Sequence, residues 1–235
     1  MNTEQILGQI RALGSEQTKK ILLKHGAREP VFGVKVEDLK KILKGEKGNN
    51  ALAADLFSSG VYDAMYLAGL MADGAKMPVD LIRQWAETRY GGAISEYTVP
   101  WVASENREGD LLALSWIDSP DETIAATGWS TFSSIVSVWP DSTLDFAALR
   151  SLLGRVALEI HGSPERVRRA MTGFVVSTGC YVADLQELTL AAAAKTDQVL
   201  LELHGQACRI PSAVEYIHKV IKTGRTGVKK KTAKC

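Results

Sequence analysis

Apolar residues recur along most of the chain at the spacing of amphipathic α-helices. Leu39, Ile42 and Leu43 form one such set, and comparable sets precede and follow it. Apolar positions three and four residues apart lie on one face of a helix, whereas a half-buried strand alternates apolar and polar residues. Because such alternation is nearly absent, the pattern predicts an all-α protein.

Residue types that begin and end helices divide this pattern into segments of about 10 to 20 residues. Segments of this length joined by tight connections are typical of antiparallel helix pairs. Predicted starts lie at Ser15, at Pro78, at 119–122 and at 163–165, and predicted ends lie at Gly45, Gly60, Gly74, Gly91, Gly92 and Gly162.

The predicted helix pairs form a loose repeat. Pairs begin near residues 50, 78, 120 and 163, at an interval of roughly 30 to 40 residues that suits HEAT-like repeats. The spacing predicts a HEAT-like α-α superhelix, a curved solenoid of antiparallel helix pairs, in one domain over 1–221. A compact helical bundle is the alternative. Helices are also predicted over 191–205 and over 208–224, with Pro211 in the first turn of the second.

Charge and composition refine this picture. Hydrophobic residues make up 46% of the chain and charged residues 23%, as in ordinary folded domains. A formal net charge of +1 means that any nucleic-acid surface must come from local clusters of cations. Residues 222–235 are rich in Lys and Arg and contain no acid, which predicts a flexible basic tail. Lys229, Lys230 and Lys231 are its candidate DNA contacts, and a merely solubilising end is the alternative.

Several classes of protein and site are not expected. No segment has the pattern of a secretory signal or the roughly 18 apolar residues of a membrane span, so we expect a cytoplasmic protein with no membrane partner. Cys180, Cys208 and Cys235 are expected to be reduced. His204 and Cys208 have the spacing of one helical turn, but no second pair completes a zinc site. No nucleotide-binding motif occurs, so we predict neither metal nor cofactor, and we expect a monomer.

Three stretches share the pattern of one protein family. Residues 33–42, GVKVEDLKKI, resemble the helix start "GV(K/R)xxxLRK(I/L)". Residues 62–70, YDAMYLAGL, are similar to the family's "hEhRhLAhhhh" helix, and residues 166–171, RVRRAM, to its "FVRKAI" helix. Over residues 15–195 the sequence thus resembles the DNA alkylation repair family.

The resemblance implies a solenoid whose concave basic face holds duplex DNA, including damaged duplex. It also implies that some members hydrolyse the N-glycosidic bond of cationic alkylated purines without flipping the base into a pocket. Cations at helix starts in two distant pairs then become candidate phosphate contacts, although solvated helix faces look alike. These candidates are Lys35, Lys40, Lys41, Arg166, Arg168 and Arg169.

The glycosylase reaction makes a definite chemical demand. A carboxylate near the deoxyribose stabilises the developing oxocarbenium ion, and aromatic faces hold the cationic base. Active members supply a Trp-x-x-x-Asp pair and an Arg, but in the predicted 93–105 helix the Trp position falls on Ser95 and the Asp position on Val99 or a close neighbour. In the predicted 120–137 helix, Trp129 is not followed by arginines. Glu96 is the candidate replacement carboxylate. The candidate aromatic walls are Tyr97, Trp101 and Trp129, with packing in the core as the alternative.

Two hypotheses of different class follow. The first is a DNA-binding protein of this family, which would be an alkylpurine DNA glycosylase only if Glu96 or another carboxylate replaces the missing aspartate. The second is a non-catalytic HEAT-like scaffold for protein partners or for structure-specific DNA binding. A DNA groove needs clustered Lys and Arg, whereas a peptide groove exposes an apolar stripe.

Overall fold

α-Helices dominate the residues that the computed structural model describes, 1–197 and 212–234, and these residues contain no strand. The all-α prediction is confirmed. Short 3₁₀ turns and one π-helical turn, Ile94–Thr98, complete the regular structure. The α-helices are α1 (Thr3–Leu13), α2 (Glu16–Lys24), α3 (Val36–Ile42), α4 (Asn50–Ser58), α5 (Tyr62–Met71), α6 (Val79–Glu87), α7 (Val99–Glu105), α8 (Gly109–Ile117), α9 (Glu122–Val138), α10 (Phe146–Glu159), α11 (Glu165–Tyr181), α12 (Gln186–Thr196) and α13 (Ala213–Lys222).

Side-chain caps fix several helix starts where the sequence predicted them. The Ser15 hydroxyl accepts from the Thr18 amide at 3.3 Å. The Asp121 carboxylate accepts from the amides of Thr123 and Ile124 at 2.9 and 3.1 Å. These bonds satisfy amides that have no partner inside the helix, which is why Ser and Asp mark helix starts.

The described residues form two compact units. The prediction of one domain over 1–221 stays a prediction. Unit 1 contains residues 1–112 and Lys234, and unit 2 contains residues 113–233. The predicted 191–205 helix is observed only in part, as the end of α12. The rest of that prediction and Pro211 lie outside the described residues.

Unit 1 is built around α5, whose residues are buried on almost every side. This helix packs against α1, α3, α4 and the π-helical turn. A helix that is apolar all round belongs in the interior, so α5 is the central helix of the unit. The Lys234 ammonium, which belongs to unit 1, forms an ion pair with Glu105 at 2.9 Å.

A buried carboxylate joins α5 to the loop before α3. Asp63 is 1% exposed, and its two oxygens accept from the amides of Phe32 and Val34 at 2.7 and 2.8 Å. Between these amides lies Gly33, with φ of +79°, a conformation that suits glycine. A Cβ added there would come within 3.0 Å of the α2 backbone. Asp63 and Gly33 therefore fix the α2–α3 connection against α5.

The predicted 93–105 helix contains a change of helical register. Residues Ile94–Thr98 form the π-helical turn, in which the Val99 amide donates to the Ile94 carbonyl, five residues earlier. Pro100 follows and has no amide hydrogen to donate to the carbonyl four residues before it. The register returns to α-helical at α7. Wide turns of this kind occur often at functional sites.

Unit 2 is built around α11, which packs against α9, α12 and α13. The largest buried side chains of its core are Trp129 on α9 and Phe174 on α11, with ring centroids 5.4 Å apart. The pair holds the two longest helices of the described residues together through ring contact.

Replacing Asp63 with alanine should lower the free energy of unfolding by about 2–5 kcal/mol, because two inward-facing amides lose their acceptor. Urea denaturation followed by circular dichroism measures the change. The control is Asp55→Ala, since Asp55 is exposed on α4, and its effect should stay within about 0.5 kcal/mol. Equal losses in the two variants would contradict the role assigned to Asp63.

Candidate functional site

The two positions that would carry the glycosylase Trp and Asp are buried in unit 1. Ser95 is 2% exposed and Val99 is 0% exposed. The Ser95 hydroxyl accepts from the Gly91 amide at 3.1 Å, so it serves the turn before the π-helical segment. Neither position offers a carboxylate or an exposed aromatic face to a ligand.

Three aromatic side chains of α5, the π-helical turn and α7 form a cluster, which we call the aromatic cluster (Tyr66, Tyr97 and Trp101). Glu96 precedes Tyr97 on the π-helical turn. Glu96 is half-buried, and Tyr97 is 52% exposed. The Trp101 ring lies 5.4 Å from the Tyr66 ring, edge to face, and 6.0 Å from the Tyr97 ring. Because Trp101 is only 4% exposed, Tyr97 is the member that presents most surface to a ligand.

Trp129 does not fit the role of an aromatic wall. It is 1% exposed in the core of unit 2, packed against Phe174. A ring enclosed in this way has no face on which a base can stack. The prediction for Trp129 is therefore corrected to a core residue.

The candidate cations of unit 1 lie on and beside α3. Lys35 and Lys40 are exposed. Lys41 forms an ion pair with Asp38 at 2.6 Å, and this hydrogen bond raises the pKa of Lys41. An exposed ion pair is weak because water and salt screen it, so a phosphate can replace the Asp38 carboxylate as the partner of Lys41.

Three candidate arginines occupy the first turns of α11 in unit 2. Arg166, Arg168 and Arg169 are half-buried, while Val167 and Ala170 between them face the core. The helical period thus places the cations at the edge of the packed surface, where their stems lie on apolar groups. This arrangement leaves a dense group of guanidinium donors suited to phosphate oxygens.

The predicted flexible tail makes specific contacts within unit 2. The Lys229 ammonium pairs with Asp141 at 2.7 Å and donates to the Val136 carbonyl at 2.9 Å. The Lys230 ammonium lies 5.2 Å from the centre of the Tyr181 ring. Lys231 is exposed. Of the three predicted DNA contacts in the tail, Lys229 is thus already engaged by a carboxylate.

The described residues contain neither a cluster of metal ligands nor a helix that could span a membrane. Among residues 1–197 and 212–234, no group of three or more His, Cys, Asp or Glu side chains could hold a metal ion. The predicted pair of His204 and Cys208, and also Cys235, lie outside the described residues. In the part of the chain that the structure describes, no helix has both the length and the apolarity to cross a membrane.

The sequence pattern of the family described as DNA alkylation repair enzyme matches residues 6–186. The chain belongs to the DNA alkylation repair enzyme family. The predicted family resemblance is confirmed, and the two units together carry the match.

Relatives of this family member include uncharacterized proteins of Listeria innocua and Listeria monocytogenes. Each is 29% identical over 222 residues, which is 92% of this chain and 96% of the relative. A solved structure is 33% identical, with a TM-score of 0.92 and full coverage of both chains. The protein in that structure is described as belonging to a new family of proteins related to the HEAT-like repeat DNA glycosylases, with affinity for branched DNA structures. The predicted HEAT-like fold is thereby confirmed.

Two kinds of important residue were missed in the sequence. Asp63 and Gly33 lie in the family-like motifs, but the sequence pattern gave no sign that Asp63 accepts from the amides on either side of Gly33. Tyr181 and Tyr216, which lie near the basic tail, were not singled out either. For Tyr216 a signal existed, since it stands three residues before Lys219 on the amphipathic α13 and shares a face with it.

Replacing Lys229 with alanine should loosen the tail. The Lys230 amide donates to the Ser137 carbonyl at 2.8 Å, and its hydrogen exchange should speed up about tenfold, since the neighbouring ion pair is lost. Mass spectrometry of peptides covering 225–234 measures the exchange. Lys231→Ala is the control, because that side chain is exposed. Fast exchange already in the unmodified protein would instead support the flexible tail predicted from composition.

Proposed function

We propose that this family member binds branched DNA and does not hydrolyse N-glycosidic bonds. The observation that carries the proposal is that positions 95 and 99 hold a serine and a valine that are both buried, so neither the Trp nor the Asp of active members is present there. The affinity of the 33% identical relative for branched DNA structures supports the choice of ligand.

Binding of this kind depends on phosphate contacts. With a formal net charge of +1, the protein as a whole attracts DNA weakly, so local groups of cations must supply the affinity. The arginines of α11 form the densest such group among the candidates, with Arg168 and Arg169 adjacent in sequence. Lys35 and Lys40 on unit 1 are further candidates because both are exposed.

The double variant Arg168→Ala with Arg169→Ala should bind a four-way junction about tenfold more weakly. It should also lower the slope of log affinity against log salt by about 1 to 2, because each lost phosphate contact removes about one released counterion. Fluorescence anisotropy at several salt concentrations measures both quantities, with a linear duplex of the same sequence alongside.

The control for this experiment removes the same charge elsewhere. Arg83→Ala with Arg150→Ala changes two exposed arginines and should leave the salt slope nearly unchanged. Circular dichroism checks that both double variants are folded. Junction and linear duplex bound equally well by the unmodified protein would argue against branched DNA as the ligand, and no binding to either would favour a protein scaffold.

A glycosylase is the second candidate function, and the aromatic cluster is the observation that favours it. The π-helical turn carries a half-buried carboxylate, Glu96, next in sequence to Tyr97, an exposed member of this cluster. Carboxylate and aromatic face are the two groups that hydrolysis of a cationic purine nucleotide requires.

Release of 7-methylguanine from a methylated duplex separates the two candidates. We expect no release above the uncatalysed rate, because the buried positions 95 and 99 supply neither group of the Trp–Asp pair. Chromatography of the released base measures it, and Glu96→Gln is assayed in parallel. Release that Glu96→Gln abolishes would instead establish a glycosylase with a relocated carboxylate.

A further inference from the structure

Unit 2 contains a cleft beside its C-terminal segment. The cleft has a volume of about 390 Å³ and lies between the second half of α11, α13 and residues 223–230. Its volume falls within the range of small-molecule sites and suits a ligand of the size of one nucleotide.

The wall formed by the C-terminal segment is held by backbone hydrogen bonds. The Gly227 amide donates to the Cys180 carbonyl at 2.9 Å, and the Lys230 amide donates to the Ser137 carbonyl at 2.8 Å. Gly227 has φ of +77°, which allows the segment to turn back along α11. The ion pair of Lys229 with Asp141 adds a side-chain anchor. These contacts within unit 2 therefore hold the wall of the cleft in place.

The charges that line the cleft have one sign. Lys219 on α13, with Arg225 and Lys230 on the segment, all line it, and no carboxylate does so among the described residues. Within the described part of the chain, these three side chains form no ion pair. A cleft that is lined by three cations, and by no carboxylate of the described residues, attracts an anion.

Two aromatic rings accompany these cations. Tyr216 is 50% exposed and stands one turn before Lys219 on α13. Tyr181 lies beneath the Lys230 ammonium, 5.2 Å from ring centre to nitrogen. Aromatic faces beside cations are the means by which proteins hold unpaired nucleotides, with the base stacked and the phosphate paired.

The cysteine that lines the cleft is poorly reactive. Cys180 is 3% exposed, and burial raises the pKa of its thiol to about 11. A buried thiol that is protonated at neutral pH is a poor nucleophile. The cleft is thus suited to binding rather than to chemistry.

We propose that this cleft binds an unpaired nucleotide of a DNA strand, with its base on Tyr216 and its phosphate held by Lys219, Arg225 and Lys230. The inference rests on the proposed function, because branched DNA that carries a flap or a single-stranded arm exposes unpaired nucleotides. Stacking of an unpaired base on Tyr216 would then act in addition to the phosphate contacts. A continuous duplex has no unpaired base to place there.

The test uses the full-length protein and four probes: 5′-phosphorylated dT4, thymidine monophosphate, a three-way junction with an unpaired arm, and a linear duplex. Tyr216→Ala should weaken binding of dT4 and of the junction about tenfold and leave binding of the duplex unchanged. Tyr216→Phe keeps the ring and should bind like the unmodified protein. The double variant Lys219→Ala with Arg225→Ala should also weaken binding of dT4 and of the junction. Lys222→Ala is the control and should change neither, because Lys222 is exposed on the same helix as Lys219 but lies outside the cleft.

Each other outcome overturns a defined part of the proposal. Junction binding that no cleft variant alters would overturn the cleft assignment and leave the proposed function standing. Thymidine monophosphate bound as tightly as dT4 would overturn the strand as the source and make the cleft a site for free nucleotide. Cleft-dependent binding of dT4 without any preference for the junction over duplex would support the cleft and overturn the proposed function.

Discussion

The buried carboxylate of Asp63 sets the arrangement of unit 1. A backbone amide that leaves water must find an acceptor, and the loop before α3 turns two amides inward, at Phe32 and Val34. Both bond to this one side chain, which holds Gly33 against the backbone of α2. An acidic residue on α5 thereby fixes the entry to α3 and the first turn of α2 together. Two of the three family-like motifs meet at this contact, so these motifs encode packing rather than chemistry.

Local sequence predicted the helices well, because helix starts depend on neighbouring residues. Ser15 and Asp121 cap helices through amides two or three residues away, and the sequence displays both partners. The π-helical turn could not be predicted in the same way. Apolar periodicity continues through 93–105, and the lack of an amide hydrogen at Pro100 is compatible with an ordinary helix start as well. Packing of the turn against α5, which is distant in sequence, accompanies the change of register.

The candidate site was harder to predict, because exposure depends on contacts between distant residues. Tyr97 and Trp129 look alike as aromatic residues at helical spacing, yet one is 52% exposed and the other 1%. Phe174 on α11 makes the difference for Trp129, and nothing near Trp129 in the sequence indicates this partner. Composition likewise shows the charge of the tail but not its contacts. The acceptors of Lys229 lie on and after α9, far from Lys229 in sequence.

The burial of Ser95 and Val99 has a consequence for how chemistry is lost in such a fold. An aspartate placed at Val99 would enter an environment with 0% exposure and would cost several kcal/mol unless it found donors there. An acid at position 99 would therefore need hydrogen-bond donors that a buried valine does not use. DNA recognition has no such requirement, because cations and aromatic rings act from the surface. Under the proposed function, positions 95 and 99 serve packing inside unit 1, and surface cations and aromatic rings select the DNA.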